Sequence, residues 1–373
     1  MPVIERIDVT HHRLVLDPPF VASWDGRPRR NFDVTVVRVT DSDGRVGIGS
    51  GDLMLGLAGH EDLFIGEDPR RAERHYEVLS HIQFHYGRCW PLDLALWDLT
   101  GKIAGEPVWR LLGGRSDRVR AYASSGVLRD PAELAETAER FAEAGFAAMK
   151  LRFHRGHRGG DWRDDIAALE SVRARVGTRL ELMVDCNQGW RMPWDTAAPW
   201  TLKDALAVAR ELEDLEVYWM EEPLHRADRE GMRRLRDSVD VRLAGGEMTR
   251  ELHEFRDLIA GGCLDVVQPD CALVGGITGL RRIAVMAREF GVAFTPHTWS
   301  NGFGVVANTH LTAGLGEAAF IEFPFDPPAW SLERRDYLLS RPFDHEDGWL
   351  QLSEAPGFGV ELDEEHLAAT RIG

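Results

Sequence analysis

The sequence predicts an α/β fold in which a modified TIM (β/α) barrel follows an N-terminal α+β capping domain. From about residue 119, short apolar runs alternate with amphipathic helical segments about eight times, which is typical of a parallel barrel. Before this point, apolar and polar residues alternate singly, as in half-exposed antiparallel strands. A chain of 373 residues is long enough for both units. We expect a capping domain at 1–118, a barrel at 119–329, and a C-terminal segment at 330–373 that packs back on the capping domain.

The capping domain is expected to contain two strands followed by two helices. In chain order, they occupy residues 3–16, 31–40, 69–79 and 91–104. The Asp-Ser-Asp-Gly sequence at 41–44 has the composition of a hairpin turn. Two further segments, the Pro-, Trp- and Arg-rich loop at 18–30 and the Gly-rich loop at 47–60, either cover a pocket or are plain surface loops. If they cover a pocket, they would contact the distal end of a substrate.

Each barrel strand is predicted from an apolar run, and each following helix from an apolar period near 3.6 residues. The predicted strands are 119–123, 146–152, 181–185, 217–221, 241–247, 264–268, 292–296 and 318–322. The predicted helices begin at 130–131 and near 161, and then occupy about 202–212, 229–236, 250–260, 277–290 and 303–313. The Asp-Pro pair at 130–131 suits the N-cap and first helical positions of its helix.

Charge and cysteine content indicate which binding partners and which cellular compartment to expect. The formal net charge is -17, from 44 Lys and Arg against 61 Asp and Glu. This balance argues against nucleic acid or an anionic membrane surface as a partner, and an anionic substrate would need a metal or a few basic residues to bind it. The four cysteines have no pairing pattern, and no signal-like or membrane-spanning apolar run is present, so we expect reduced thiols and a cytoplasmic protein.

Three predicted barrel strands each deliver an acid at the C-terminal end: Asp185, Glu221 and Glu247. In a parallel barrel these ends meet on one face, which is where active sites lie. Three carboxylates that meet repel one another unless a cation holds them. Because the set contains oxygen ligands and no His or Cys, the sequence predicts a hard ion, first of all Mg²⁺.

Other strand ends also carry charged or titratable groups. Lys150 and Arg152 are two residues apart on one strand, so both side chains point the same way. Together with a metal they would neutralise a carboxylate substrate, or else one of them pairs with a local acid. Asp270 and His297 end adjacent strands, where the carboxylate would orient the imidazole as a general base. Glu322 has apolar neighbours, and burial would favour its neutral, hydrogen-bond-donating form.

Four residues in loops near these strand ends are predicted to contact the substrate. They are Trp24, Asn187, His225 and Trp299. Asn187, Glu222 and His225 each follow a strand end, so they could instead support the metal ligands or simply shape their loops.

These residues and their motifs resemble the mandelate racemase subgroup of the enolase superfamily. The resemblance covers nearly the whole chain and is carried by Lys150-x-Arg152, the segment 184–190, Glu221-Glu222-Pro223, Gly245-Gly246-Glu247, Gln268-Pro269-Asp270 and the segment 295–300. It implies Mg²⁺ on the three acids, an Asp270–His297 base dyad, and Glu322 as the acid that hydrogen-bonds an enolate oxygen. The use of a Lys or His base with Mg²⁺ in this superfamily is established chemistry. Oligomers are common in the family, so a homo-oligomer is expected.

One departure from the family pattern bears on the reaction. The subgroup commonly has a second lysine, a base on the opposite substrate face, where this chain has Arg152, which stays protonated. With His297 as the single competent base, the sequence predicts dehydration of a sugar acid (an aldonate or aldarate) through an enediolate to a 2-keto-3-deoxy acid. The alternatives are a racemase or epimerase of a 2-hydroxy acid, which needs Lys150 as a base, and a non-catalytic homologue that binds a sugar acid and metal. A lactonising cycloisomerase fits less well, because that subgroup relies on paired lysines.

Overall fold

The computed structural model describes residues 1–114, 116–153, 159–316 and 318–372. The N-terminal part and the last strand of the chain, β14 (Arg371–Ile372), form a four-stranded antiparallel sheet in the order β14-β1-β2-β3. Its first strands are β1 (Ile4–Phe20), β2 (Arg29–Asp41) and β3 (Val46–Gly51). A short 3₁₀ turn (Glu61–Leu63) is followed by α1 (Ala72–His85), α2 (Trp90–Ala104) and α3 (Val108–Leu111).

Helix α2 packs directly on β3, and the glycines of β3 make this approach possible. A Cβ on Gly47 would lie 2.2 Å from the Ala95 carbonyl oxygen, and one on Gly49 would lie 1.9 Å from the Pro91 carbonyl oxygen. Eleven of the fifteen residues of α2 are buried, because the helix lies between the capping sheet and the barrel helix α9 (Gly276–Glu289). The Gly-rich sequence after residue 46 is therefore partly a packing requirement.

Eight parallel strands with intervening helices form the second unit. The strands are β4 (Arg118–Ser124), β5 (Ala148–Arg152), β6 (Glu181–Asp185), β7 (Trp219–Glu221), β8 (Arg242–Gly245), β9 (Val266–Val267), β10 (Ala293–Phe294) and β11 (Ile321–Pro324). The helices are α4 (Pro131–Glu143), α5 (Trp162–Val176), α6 (Leu202–Asp214), α7 (Arg229–Arg236), α8 (Leu252–Ala260), α9 (Gly276–Glu289) and α10 (Gly302–Leu315). The strand order is β11-β4-β5-β6-β7-β8-β9-β10, and no hydrogen-bonded ladder joins β10 to β11 in the described ranges.

Strands β9 and β10 are shorter than the five-residue runs predicted at 264–268 and 292–296. Pro269 follows the first run and Pro296 is the last residue of the second, and proline has no N–H to donate to a neighbouring strand. The ladder between these strands therefore ends early, although Thr295 N–H still donates to the Val267 carbonyl oxygen at 3.1 Å. The predicted α/β class with a β-rich N-terminal unit is confirmed.

The C-terminal segment contacts both units. It contains α11 (Leu332–Arg335), β12 (His345–Glu346), β13 (Trp349–Gln351), α12 (Glu364–Thr370) and β14 (Arg371–Ile372). β14 pairs with β1 of the capping sheet, whereas β13 pairs with the first half of β4. Gly373, the last residue of the predicted segment, lies outside the described residues, and the predicted domain boundaries remain a prediction. Within the described ranges, no helix is both long and apolar enough to cross a membrane.

Candidate active site

Three acids meet where β6, β7 and β8 end. Asp185 and Glu221 are the last residues of β6 and β7 and face each other across the ladder, while Glu247 follows β8 by two residues. One carboxylate oxygen from each residue lies within 4.8 Å of those of the other two, and all three side chains are buried. The parallel register thus brings together the three residues predicted as metal ligands.

The electrostatics of this group fit a bound cation. Burial raises the pKa of Glu221 to about 7. The positive charge of Lys150 opposes this rise, and the negative charge of Asp185 adds to it. Buried carboxylates crowded in this way are costly unless positive charge offsets them. Because the donors are carboxylate oxygens, the group suits a hard divalent ion such as Mg²⁺.

Several neighbouring side chains orient the acids, and the strand-end pattern did not predict them. Trp190 Nε1–H donates to Glu247 Oε1 at 2.8 Å, and Gln268 Nε2–H donates to Glu221 Oε2 at 2.9 Å. Each bond fixes one oxygen of its carboxylate and so orients the acid within the cluster. Gln268 and Trp190 belong to the family motifs, which was the one available signal for them.

Lys150 lies among the acids rather than free in the site. Its Nζ is 2.7 Å from Glu221 Oε1, 2.8 Å from Glu322 Oε1 and 3.8 Å from Asp185 Oδ2. Burial opposes its charged form, but Glu221 and Glu322 outweigh this effect and raise the pKa of Lys150. The ammonium group is therefore firmly protonated.

Arg152 is fixed from three directions. It forms an ion pair with Asp185, and its Nε–H donates to the Ser125 carbonyl oxygen at 2.8 Å. The rings of Trp24 and Trp299 lie 4.9 and 5.3 Å from the guanidinium carbon. From the sequence, Lys150 and Arg152 would either neutralise a carboxylate substrate or pair with a local acid. In the structure, both pair with local acids. Trp24 and Trp299, predicted as substrate contacts, hold Arg152.

His297 and Asp270 form the predicted pair. His297 Nδ1–H donates to Asp270 Oδ2 at 3.0 Å, and its Nε2 lies 3.3 Å from Glu247 Oε2, beside the acid cluster. Burial alone would lower the pKa of His297, but the carboxylates of Glu247 and Glu322 and the bond to Asp270 raise it to about 9. A cation bound by the acids would offset part of this field.

Asn308, in the middle of α10, holds the Asp270–His297 pair in place. Its Nδ2–H group donates to Asp270 Oδ1 at 3.0 Å and to the His297 carbonyl oxygen at 3.2 Å, and its Oδ1 accepts from Cys271 N–H at 3.1 Å. The Ala272 N–H also donates to Asp270 Oδ1 at 2.9 Å. Asn308 is one of several buried polar residues of α10, and no strand-end pattern could single it out.

The expected neutral form of Glu322 is wrong in this arrangement. Ser124 Oγ–H donates to its Oε1 at 2.7 Å and Thr298 N–H donates to its Oε2 at 2.8 Å. Burial favours the neutral acid as expected, but the charges of Lys150 and His297 outweigh it and lower the pKa of Glu322 to about 2. In this arrangement the ionised form of Glu322 is favoured and accepts hydrogen bonds, and its donor role toward an enolate stays a prediction.

The remaining predicted residues have different surroundings. Asn187 is buried, has a left-handed backbone (φ 50°), and has an Oδ1 without a partner among the described residues. His225 is exposed and its Nδ1 accepts from Ala227 N–H at 3.2 Å, so its described contact is within its own loop. The carboxyl group of Glu222 packs on Gly189, where a Cβ would lie 2.4 Å from Glu222 Cδ. Burial, followed by the charge of Glu247, strongly raises the pKa of Glu222.

Two loops border the site and contact each other. Trp194, in the segment that follows Trp190, donates its Nε1–H to Asp25 Oδ1 at 3.0 Å. The Arg27 guanidinium lies 4.0 Å from the centre of the Trp194 ring. Since Asp25 and Arg27 belong to the capping loop at 18–30, a barrel loop and a capping loop are joined here, around a groove of about 250 Å³.

The strand ends therefore combine a cation-binding acid cluster with an imidazole–carboxylate pair, which defines a metal-dependent acid–base enzyme. A family model described as "Enolase C-terminal domain-like" matches residues 133–366. The chain belongs to the enolase superfamily, in its mandelate racemase group.

Two named relatives match 100% and 82% of the chain. The 3,6-anhydro-alpha-L-galactonate cycloisomerase of Streptomyces coelicolor is 29% identical over 100% of both chains. The D-galactonate dehydratase of Variovorax paradoxus is 31% identical over 82% of this chain and 81% of its own. A solved structure of an L-talarate/galactarate dehydratase mutant with Mg and L-glucarate matches with a TM-score of 0.84 at 27% identity, covering 100% of this chain and 92% of that one.

Proposed function

We propose that this enzyme is a Mg²⁺-dependent dehydratase that removes water from a sugar acid to give a 2-keto-3-deoxy acid. The observation that carries the proposal is the single base: His297, oriented by Asp270, reaches the acid cluster with Nε2, while Arg152 is committed to Asp185. The relatives named dehydratases support the substrate class. We also propose a cytoplasmic location, since all four cysteines are free and buried. Self-association stays a prediction.

Asp185, Glu221 and Glu247 would hold the Mg²⁺. When bound, the ion supplies positive charge where negative charge develops on the substrate carboxylate. Lys150, protonated and within reach of Glu221 and Glu322, would donate a hydrogen bond to the same carboxylate. This replaces the donor role expected for Glu322, whose part is to hold Lys150 in place.

His297 would remove the α-proton through Nε2, because Nδ1 is occupied by Asp270. The enediolate that forms expels the β-hydroxyl group, and the proton held by His297 can be returned to this leaving group as water departs. The resulting enol becomes the 2-keto acid. The chemistry requires one base on one face of the substrate, which is what these residues offer.

Racemisation would need a base on the opposite face, and the surroundings of Lys150 argue against it. Glu221 and Glu322 raise the pKa of Lys150, and Arg152 cannot lose its proton at working pH. An enzyme with these groups exchanges the α-proton from one side.

A cycloisomerase is a second candidate, favoured by the full-length similarity to the Streptomyces coelicolor enzyme. Opening an oxygen ring at the β-carbon uses the same α-proton abstraction, with the ring oxygen in place of hydroxide as leaving group. The two reactions differ in mass balance: dehydration lowers the mass of the product by one water, whereas cycloisomerisation leaves it unchanged.

The test is a panel of aldonates, aldarates, their lactones and anhydro acids with Mg²⁺ and mass detection, run in H₂O for the mass balance and in D₂O for exchange of the α-hydrogen. We expect a keto acid lighter by one water from at least one acid sugar, lost on chelation of Mg²⁺. His297→Asn should reduce turnover at least about 10³-fold while Mg²⁺ still binds, since the acids are intact. Exchange of the α-hydrogen with inversion and no keto acid would instead indicate an epimerase. Ligand binding without turnover, unaffected by the variant, would indicate a non-catalytic homologue.

A further inference from the structure

Besides Lys150 and Arg152, a second group of basic residues lies where the capping domain meets the barrel. Arg250 follows Glu247 by three residues, and Arg88 precedes the first residue of α2 by two. Asp52 is on the capping loop at 47–60. None of the three ends a barrel strand, and none has a role in the reaction described above.

Hydrogen bonds connect the capping domain to the segment that carries Arg250. Gln83, near the end of α1, donates its Nε2–H to Glu251 Oε1 at 2.7 Å, and Glu251 is the residue after Arg250. Gln83 Oε1 accepts from the Trp90 indole at 2.6 Å, two residues after Arg88. The two arginines, one from each unit, therefore lie in segments that these hydrogen bonds join.

Asp52 is held near the base pair by its neighbour. Gly51 packs on Ala272 so closely that a Cβ on Gly51 would lie 3.4 Å from the Ala272 Cβ, and the Ala272 N–H donates to Asp270. Asp52 is exposed as a residue, but the protein packed around its carboxyl group raises its pKa; Arg88, Arg250 and His297 oppose this rise, and Asp270 adds to it. Asp52 and Arg250 therefore both lie within electrostatic reach of Arg88 and of Asp270.

Arg250 is a half-buried cation with weak partners. Its Nη1–H donates to the Glu247 carbonyl oxygen at 3.2 Å and its Nη2–H to Met248 Sδ at 3.3 Å. No carboxylate lies within ion-pair distance of it in the part of the chain that the structure describes. Burial, followed by repulsion from Arg88, lowers the pKa of Arg250 to about 10. A guanidinium group offers five N–H donors in a fork that matches a carboxylate, and most of these donors are still available here.

The inner cations contrast with Arg250. Lys150 and Arg152 are already engaged by Asp185, Glu221 and Glu322, deep among the acids. The acid cluster and Lys150 are therefore placed to bind the reacting carboxylate, whereas Arg250 remains available for a different anion. The charges that act on Arg250 are those of Arg88, Asp52, Glu247 and Asp270, and of these acids Asp52 alone has no part in the metal cluster or the His297 pair.

We propose that Arg250, assisted by Arg88, binds the second carboxylate of a dicarboxylic sugar acid, so that aldarates are preferred over aldonates. This inference rests on the proposed function, because it takes the reacting carboxylate to lie at the acid cluster. Asp52 accepts hydrogen bonds from the hydroxyl groups between the two ends. Loss of Arg250 should then weaken the binding of diacids specifically, because a monoacid has a hydroxymethyl group in place of the second carboxylate.

The test compares matched six-carbon pairs, such as galactarate with galactonate, in the full-length enzyme with Mg²⁺. The wild type should show a higher kcat/KM for the diacid. Arg250→Met should reduce the diacid-to-monoacid ratio about tenfold or more, since a charge-assisted hydrogen bond is lost, and Arg88→Met should reduce it less. Arg256→Met is the matched control, because Arg256 is exposed on α8 and pairs with Asp257. A ratio that Arg250→Met leaves unchanged, or a wild type that prefers the monoacid, overturns the proposal.

Calorimetry on His297→Asn separates this proposal from the proposed function. The variant keeps Arg88, Arg250 and the acids, so binding of each acid can be measured without turnover. If no acid is ever dehydrated but the diacid binds tighter and loses that advantage with Arg250→Met, the subsite stands and the reaction is wrong. If dehydration occurs and the two acids bind equally, the subsite is wrong and the reaction stands.

Discussion

The reactivity of His297 depends on residues that never meet the substrate. Asp270 has two oxygens, and Oδ2 can face the imidazole because Oδ1 is held by the side chain of Asn308 and the main chain of Ala272. The same Asn308 side chain binds the His297 carbonyl oxygen. A single buried amide thus fixes both members of the pair, and its removal would leave buried polar groups without partners.

We predict that Asn308→Ala lowers kcat about tenfold to a hundredfold with little change in KM, because two hydrogen bonds to the pair are lost and no substrate contact is. Asn308→Asp should be worse, since it places a second carboxylate against Asp270. Steady-state kinetics and melting temperature would be measured together. Thr309→Val is the control, because Thr309 is equally buried on α10 and its hydroxyl donates to the Val305 carbonyl oxygen rather than to the His297 pair. Equal losses in Asn308→Ala and Thr309→Val would mean that Asn308 has only a packing role.

At this scale, the sequence predicts which residues gather but not how they pair. Strand ends bring Asp185, Glu221 and Glu247 together, because the parallel register fixes where β6, β7 and β8 stop. The charge of Glu322 depends on Lys150, which comes from another strand, and burial alone gave the wrong sign. Such pairings depend on three-dimensional distances that a linear pattern does not contain.

Among the elements, the two loops around the groove have a shared role. The capping loop at 18–30 carries Trp24, which stacks against Arg152, and Asp25, which accepts from Trp194 of the barrel loop. Because Arg152 holds Asp185, the position of the capping loop is linked to one of the proposed metal ligands. Loops of this kind order a site when they close and expose it when they open.

We expect Trp194→Phe to raise KM about fivefold and to change kcat less than twofold. The variant keeps the aromatic ring under Arg27 but loses the hydrogen bond to Asp25, which costs about 1 kcal/mol of closure. Initial-rate kinetics would measure this, with Trp349→Phe as control, since Trp349 is on β13 beside the first half of β4. A fall in kcat with KM unchanged would show that the contact affects the chemistry rather than closure.

The sequence predicted the order and type of these elements well, because each barrel helix and strand has its own apolar period. It did not predict where strands stop, since the prolines after β9 and β10 cut the ladders short. It also assigned the C-terminal segment to the capping domain, whereas β13 pairs with β4 as well. Edge pairings of two or three residues have no periodic signal of their own.

At the scale of the whole molecule, His310 links three parts of the chain. This buried residue of α10 accepts from Trp109 N–H of α3 with Nδ1 at 3.1 Å, and its Nε2–H donates to the Phe358 carbonyl oxygen at 3.1 Å. Both bonds require the neutral imidazole with its proton on Nε2. The capping-domain end, the barrel helix and the C-terminal segment are therefore joined by one side chain that must not take up a proton.

The stability of the enzyme should consequently fall in mild acid. Burial lowers the pKa of His310 to about 3, against an ordinary value of 6.5. The unfolded chain takes up a proton as the pH falls below 6.5, whereas the folded chain does not until about pH 3, so stability is lost between these values. The linkage predicts a loss of about 2 kcal/mol from this residue between pH 7 and pH 5. His310→Gln should be less stable at pH 7 but should lose less on acidification, as urea unfolding at the two pH values would measure. The exposed His81, changed to Gln, is the control, and an acid sensitivity that is the same in both variants and the wild type would remove His310 as its source.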